Sequence, residues 1–561
     1  MKPTCQIICI SFAVFLTAGL VSLAAHGDEP LHVQIDRLIE ARSGTAGAAI
    51  VDDAGFLRRI YLDFAGMIPS ADAVRNFLAD QTPDKRQRLI DDLLNSPHYA
   101  RAMRERFHIL LMERRGDQDE WTKYLEDSFA ANKPFDQLAR EILNPNPEDE
   151  ATRAAAFFMT KRLESYGQNP TDFPGLTRDV ARLFLGQDLQ CAQCHNHLFI
   201  DQYKQVDFQG LYIVFMNLQI RTDVKFPAVK QNPLKQKLDF VSVFDSTPRS
   251  VGPRLPGGTE LPVTYEPEAK EKTEPAQSDA TSTKTGLALF AETIPTADNM
   301  MFTRNAANRI WFLMMGRGLV HPLDLHHQAN PPSHPELLDL LAREFAAQKF
   351  DLKWLLRELA LTNTYQRTSL MEDAQQASTE DSFLVFKERR LSAEQLMWSV
   401  LEATGETERV SNAKEAAADE QNKDAAQSET TEATDSTDDR DKVPTLKDLQ
   451  KAFVDSFANE PREPEEMIEP SVKGALFWRN DQRLLTLLQR RTGNLVDRLT
   501  AMTDDQTVAD ELYLSVLSRL PSDEERNELS ELLKSQPENR EKVLSNVAWA
   551  LLASVEFFVN H

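Results

Sequence analysis

Basic residues are in short supply. The 561-residue chain has 63 Lys and Arg against 87 Asp and Glu, a net charge of −24. A nucleic-acid binder needs a basic face to neutralise phosphates, so the composition argues against that class. It suits a soluble chain whose copies repel one another. Cysteine is scarcer, four residues in all, and two of them, Cys5 and Cys9, fall at the extreme N-terminus. Beyond the N-terminus no stretch is long and apolar enough to span a bilayer, so no integral membrane span is expected once a leader is removed. Also missing are a nucleophile elbow, a phosphate-cradling glycine loop and an H-E-x-x-H helix. No solenoid repeat period is present. Acid pairs are so abundant that no glycosidase dyad can be singled out.

Residues 1–27 read as a secretory signal. Lys2 supplies a short basic start, Ile7 to Ala25 is apolar, and Ala25-His26-Gly27 places small residues before Asp28. The expected location is therefore exported: periplasm, cell surface or extracellular space. An uncleaved anchor is the competing reading of the same run. Removal of the leader leaves Cys191 and Cys194 as the only cysteines of the mature chain.

Those two cysteines lie in Cys191-Ala192-Gln193-Cys194-His195-Asn196-His197, which contains C-x-x-C-H, the attachment pattern of c-type haem. Cysteines three apart on one helical turn can each form a thioether to a haem vinyl group. The next residue, His195, then offers its imidazole to the iron from the same side. A turn with Cys at i and i+3 and His at i+4 would put all three side chains on one face. Three readings are open: covalent haem c with His195 as ligand; a Cys/Cys/His/His site for zinc or another transition metal that adds His197; and a bare disulfide or free thiols with hydrogen-bonded histidines. Export fits haem, and in an oxidising compartment bare cysteines would tend to a strained disulfide. Met159 and Met216 are candidate distal ligands, although a Met on an apolar helix face is usually core. Asp201 and Asp207 are candidate acceptors behind a ligating imidazole; a solvated acid and a first-turn helix acid are the plainer assignments.

The rest of the chain predicts a mainly α protein: two helical blocks, a small β-hairpin insertion between them, and disordered acidic segments. The first block covers 28–225 and carries the C-x-x-C-H-x-H motif. Thr82-Pro83 and Ser96-Pro97 read as helix starts. The insertion covers 226–265, where Phe240-Val241-Ser242-Val243-Phe244 suggests a strand. A polar linker at 266–289 precedes the second block, 290–561. Capping boxes are expected at Ser333-Glu336, Ser392-Gln395 and Ser522-Glu525. The stretch 406–442 is acidic, poor in apolar bulk, and expected to be disordered. Asp324, His326, His327 and His334 fall within eleven residues and form a second candidate metal cluster. The position of His334 in a helix first turn favours a structural role instead.

The chain resembles the secreted planctomycete proteins in which a cytochrome-like domain of unknown function precedes a second domain of unknown function. The first domain is carried by Leu57-Arg58-Arg59-Ile60-Tyr61-Leu62-Asp63, Ser96-Pro97-His98-Tyr99 and the region Phe184 to Phe208. The second is carried by Asn305 to Trp311, Asn330 to Leu338, Thr364-Tyr365-Gln366, Leu391 to Leu396 and the ending Ser554 to His561. Where the family usually reads C-A-Q-C-H-D-H-P-F, this chain has Asn196 for the acid and Leu198 for the proline. In the helix around Arg104 to Arg115, often rich in Trp and His in the family, only His108 remains. The resemblance implies architecture and an envelope location more than a chemistry. The expected function is an exported cell-envelope protein bearing haem c or a metal, with a redox or envelope protein as partner and electron transfer as its role. A secreted metal-dependent hydrolase or accessory protein of polysaccharide breakdown is the alternative, and a non-enzymatic scaffold with a structural C-x-x-C staple is the third reading.

Overall fold

The computed structural model describes residues 29–561 except 166, 168–169, 267–283, 370–378, 413–443, 463, 466–467 and 469. The leader 1–27 and most of both expected disordered stretches lie outside the described residues.

The chain is mainly α-helical, as its periodicity predicts. Ten α-helices run from Leu31–Ser43 to Gln205–Phe215, and a second helical series runs from Gly286–Thr293 to Val555–Phe558. Among the described residues, strands are short and pair only in twos. β1 (Leu218–Ile220) pairs with β2 (Val229–Gln231), β3 (Leu238–Ser242) with β4 (Asp245–Val251), and β5 (Arg389–Arg390) with β6 (Val559–Asn560), all antiparallel. The expected β insertion thus begins earlier, at Leu218, directly after a helix.

Local chemistry accounts for many helix ends. Ser96 accepts from the Tyr99 amide with Pro97 in the first turn, and reciprocal capping boxes form at Ser392–Gln395 and Ser522–Glu525. Two expected starts differ. The helix after Thr82-Pro83 is Lys85–Leu94, capped by no side chain, because Thr82 is drawn into a turn in which both its amide and hydroxyl donate to Asp80 Oδ1. No box forms at Ser333: the N-cap is His334, and its Nδ1 lies 3.1 Å from Ser333 Oγ. Two segment boundaries are corrected as well. The stretch expected to be disordered from Glu406 starts as helix over 407–412, with Glu406 and Val410 fully buried. Glu406 has a reason to be there: it accepts from Asn494 and pairs with Arg409. The expected linker ends by residue 285, where Thr285 caps the next helix.

The two blocks share one hydrophobic core. Phe135 of the first block packs on Phe302 and Phe345 of the second, with ring centroids 5.9 and 6.2 Å apart. Polar contacts across the junction are equally specific. Asp63 is completely buried and binds Arg106 within its own block, then Tyr365, Arg389 and Asn560 of the other. Arg59 donates to the carbonyls of Tyr365, Arg367 and His561. Segments far apart in sequence therefore close on each other through charge-assisted hydrogen bonds in a dry environment. Burial pushes the Asp63 carboxyl up, but Arg389 and Arg106 outweigh it and hold the group below its ordinary value. Among the described residues, no helix is long and apolar enough to cross a membrane.

Candidate functional site

The motif is delivered by the helix Phe173–Leu185, whose Leu176, Val180, Leu183 and Phe184 are buried. Asp172 caps its start by accepting from the Gly175 amide at 2.9 Å. Gly186 ends it in the left-handed conformation, φ 69°. A Cβ at that position would sit 2.6 Å from His326 Cδ2, so glycine is required both by backbone angle and by close approach. The chain then crosses to the second block: Asp188 N donates to Asp324 O at 2.9 Å, and His326 N donates to Gly186 O at 3.0 Å. A second-block loop thus braces the motif from behind.

The motif itself is a short 3-10 turn, Cys191–Gln193, rather than an α-helical one. Side chains at i and i+3 eclipse in such a turn, which keeps Cys191 and Cys194 on one side and leaves His195 just beyond it. Both thiols are free and exposed. Ala192, between them, is fully buried and pins the turn to the core. Four polar contacts fix it further. Arg178 donates to Gln193 Oε1 at 2.8 Å, Gln209 to Gln193 O at 2.9 Å, and Gln205 Nε2 to Cys194 O at 3.0 Å. Asn196 Oδ1 accepts from the Gln205 amide at 2.9 Å, so the residue replacing the family's usual acid caps the next helix. Cys191 and Cys194 are therefore held on a rigid loop with their sulfurs in solvent.

The two histidines of the motif differ in kind. His195 Nδ1 lies 2.6 Å from the Asn196 carbonyl oxygen. A carbonyl only accepts, so Nδ1 carries the hydrogen and Nε2 presents its lone pair. His197 is the reverse. Its Nδ1 accepts from the amides of Phe199 and Ile200 at 3.1 and 3.0 Å, which places the hydrogen of the neutral ring on Nε2. His195 is poised to ligate through Nε2; His197 is committed to its own loop.

The other candidates are placed elsewhere. Asp207 is buried, pairs with Arg254 at 3.0 Å and accepts from the Gly257 amide, with burial pushing its carboxyl up. Asp201 is exposed. Met159 is fully buried and Met216 exposed at 36%. In the second cluster, Asp324 is taken by Arg182 and Arg309. His326 is pushed down to about 4 by burial and by Arg309, and His334 to about 4 by burial and by Arg42. His327 stands edge-on to Tyr203, with centroids 5.5 Å apart. Asp324, His326 and His327 belong to the stretch that braces the motif, whereas His334 meets Ser333 and Phe383 instead. Among the described residues, no three His, Cys, Asp or Glu side chains converge in a metal-holding group.

The residues that sequence reasoning missed are Arg178, Gln205, Gln209 and Phe244. The Phe244 ring lies 4.6 Å from the His195 ring, and nothing in the text of a hairpin tip announces that partner. On its other flank, Asp188 and Gln190 line a wide polar cleft of about 1110 Å³ that reaches Pro322 and Ser471 of the second block.

Two family models match the chain. The PSCyt2 model, described as a protein of unknown function (DUF1549), covers residues 34–220, and the PSD1 model, described as a protein of unknown function (DUF1553), covers 288–533. The chain is a tandem of these two domains. No curated protein and no solved structure matches it. Cys191, Cys194, His195 and His197 fall inside the PSCyt2 domain, and the bracing loop 324–330 inside the PSD1 domain. The hairpin β3–β4 lies between the two matches, and the C-terminal segment that meets Asp63 lies after the second.

Proposed function

We propose that the chain is an exported redox protein of the cell envelope that carries a c-type haem on Cys191, Cys194 and His195. The observation that carries the reading is the hydrogen-bonding state of the two motif histidines. His195, with Nδ1 donating to a backbone carbonyl and Nε2 free, has the arrangement in which an imidazole ligates a metal. A Cys/Cys/His/His zinc site would need His197 Nε2 to lose its hydrogen while two amides already occupy Nδ1. The exposed, unpaired thiols suit covalent attachment. Cys191 and Cys194 would each hold the group through a thioether to one of its vinyl positions, and His195 would ligate its iron. When bound, haem supplies an iron that takes up and returns one electron. The protein contributes the rigid turn, the orientation of His195, and the ion-paired cleft beside Asp188 and Gln190 as an approach for a redox partner.

The test is maturation of the full-length exported chain in a host equipped for c-type haem attachment. The expected result is a Soret band, a pyridine haemochrome spectrum of the two-thioether type and a mass increase of one haem. Cys191→Ser with Cys194→Ser abolishes the mass increase, and His197→Ala keeps it. An unmodified wild-type mass overturns the proposal, and tightly held zinc would turn attention to the hydrolase and scaffold alternatives.

A further inference from the structure

The hairpin β3–β4 falls outside both matched domains, yet its tip is fastened to the motif. The Val243 amide donates to Cys194 O at 3.2 Å. The Gln205 side-chain amide donates to both Cys194 O and Val241 O, each at 3.0 Å, tying turn and hairpin through one group. The Phe244 ring rests against His195 at 4.6 Å with a 48° tilt. Ser242 is buried and accepts from the Phe244 amide at 3.2 Å, which sets the bend at the tip.

The same tip holds apolar side chains out in water. Val241, Val243 and Phe244 are 54, 68 and 67% exposed, and on the motif loop Leu198 and Phe199 are 64 and 87% exposed. These five account for more than a third of the fourteen exposed large hydrophobics among the described residues. Each forgoes the stabilisation of about 25 cal/mol per Å² that burial would bring. Apolar side chains gathered around a ligating group mark a surface meant to be covered. Phe244 beside His195 and Val243 hydrogen-bonded to Cys194 O put this apolar surface next to the motif, where a large apolar group held at Cys191 and Cys194 would cover it.

We infer that the hairpin tip is the protein wall of the haem site, with Phe244 as the positioning residue for His195. The inference rests on the reading of the motif as a haem site. Two contacts define the imidazole: Nδ1–H to Asn196 O fixes its tautomer, and the Phe244 ring limits its rotation. The apolar side chains lower the local dielectric and exclude water, which favours the less charged ferrous state and raises the reduction potential.

The experiment uses the full-length, haem-loaded protein and three variants: Phe244→Ala, Phe244→Tyr, and the combined Val241→Ser, Val243→Ser, Phe244→Ser. All three positions are mostly solvent-exposed, so far-UV circular dichroism should match wild type. The readouts are haem stoichiometry, the low-temperature electron paramagnetic resonance signature, and the midpoint potential. In Phe244→Ala the haem stays attached, the signature broadens as His195 gains rotational freedom, and the midpoint potential falls. A tenfold change in the oxidation equilibrium corresponds to about 59 mV for one electron, and the combined variant falls by at least that much. Phe244→Tyr restores the wild-type signature. Wild-type potential and signature in all three variants, with haem attached, overturn the wall while leaving the haem reading intact. A wild-type protein without haem overturns both.

Discussion

Replacing Asp63 by Ala should unlock the two domains from each other. Asp63 is fully buried. It accepts from Arg106 at 2.8 Å, from Arg389 Nη2 at 3.0 and 2.9 Å through its two oxygens, from the Tyr365 hydroxyl at 2.8 Å and from Asn560 at 3.2 Å. Removal of the carboxylate leaves two guanidinium groups, a phenol and an amide facing a cavity. Taking one partner out of a buried charge cluster costs about 3–5 kcal/mol, because the remaining charges stay desolvated. Arg106 and Arg389 keep 15 and 18% of their side-chain surface exposed, so the lower half of that range is expected. If charge rather than shape dominates, Asp63→Asn falls in the same range. Asp523→Ala is the control: its side chain is 100% exposed beside Arg526, and the change should be within about 0.5 kcal/mol. The assay is urea unfolding followed by fluorescence and far-UV circular dichroism. Wild type should unfold in one step, because Asp63 and its partners span both domains. The pH dependence has a defined sign. The folded pKa of Asp63 is lowered, so its contribution is complete above the unfolded carboxylate pKa and is lost as pH falls through the folded one. A loss below about 1 kcal/mol for Asp63→Ala, far under the range for a broken buried charge cluster, would falsify the account, as would wild-type transitions that separate by domain.

Three further outcomes can be checked directly. His326 is pushed down from 6.5 to about 4 by burial and by Arg309; the unfolded chain therefore binds a proton first, and stability should decline as pH falls from 6.5 toward 4, with His326→Leu flattening that slope in a urea series. Gly186→Ala should destabilise by roughly 1–3 kcal/mol from left-handed strain and overpacking, read as a lower unfolding midpoint; an unchanged midpoint would contradict the close approach to His326. Gln205→Ala removes the bridge between Cys194 O and Val241 O, so hydrogen exchange across 238–251 should accelerate while the core helices keep wild-type protection; uniform protection would remove the bridge from the account.

The helices were legible because their signals are local. Ser392 with Gln395 and Ser522 with Glu525 form their boxes within one turn, and the β-branched text around Phe240–Phe244 led to a real hairpin. Where the reading of an end missed, a partner near in sequence or brought close only by folding had taken up the group in question. Asp80 captured Thr82, and Asn494 together with Arg409 gave Glu406 a buried home that its acidic surroundings do not suggest. Such competition is decided by small differences between local hydrogen bonds, each contributing about 1 kcal/mol, and composition does not rank them.

The candidate site divides along a different line. C-x-x-C-H is a spacing, and spacing survives in one dimension, so Cys191, Cys194 and His195 were identifiable without coordinates. His195 and His197, separated by one residue, are equivalent as text. What separates them is a carbonyl opposite one Nδ1 and two amides opposite the other, and these follow from the backbone path between Asn196 and Ile200. The path is set in turn by Gln205 on the next helix, by the hairpin tip that Gln205 holds, and by a loop from the other domain that meets Gly186. The different hydrogen-bonding of the two histidines is therefore a property of three segments that the chain brings together only on folding. A PSCyt2 domain cut away from the hairpin and the PSD1 loop would keep its C-x-x-C-H and lose the contacts that aim His195.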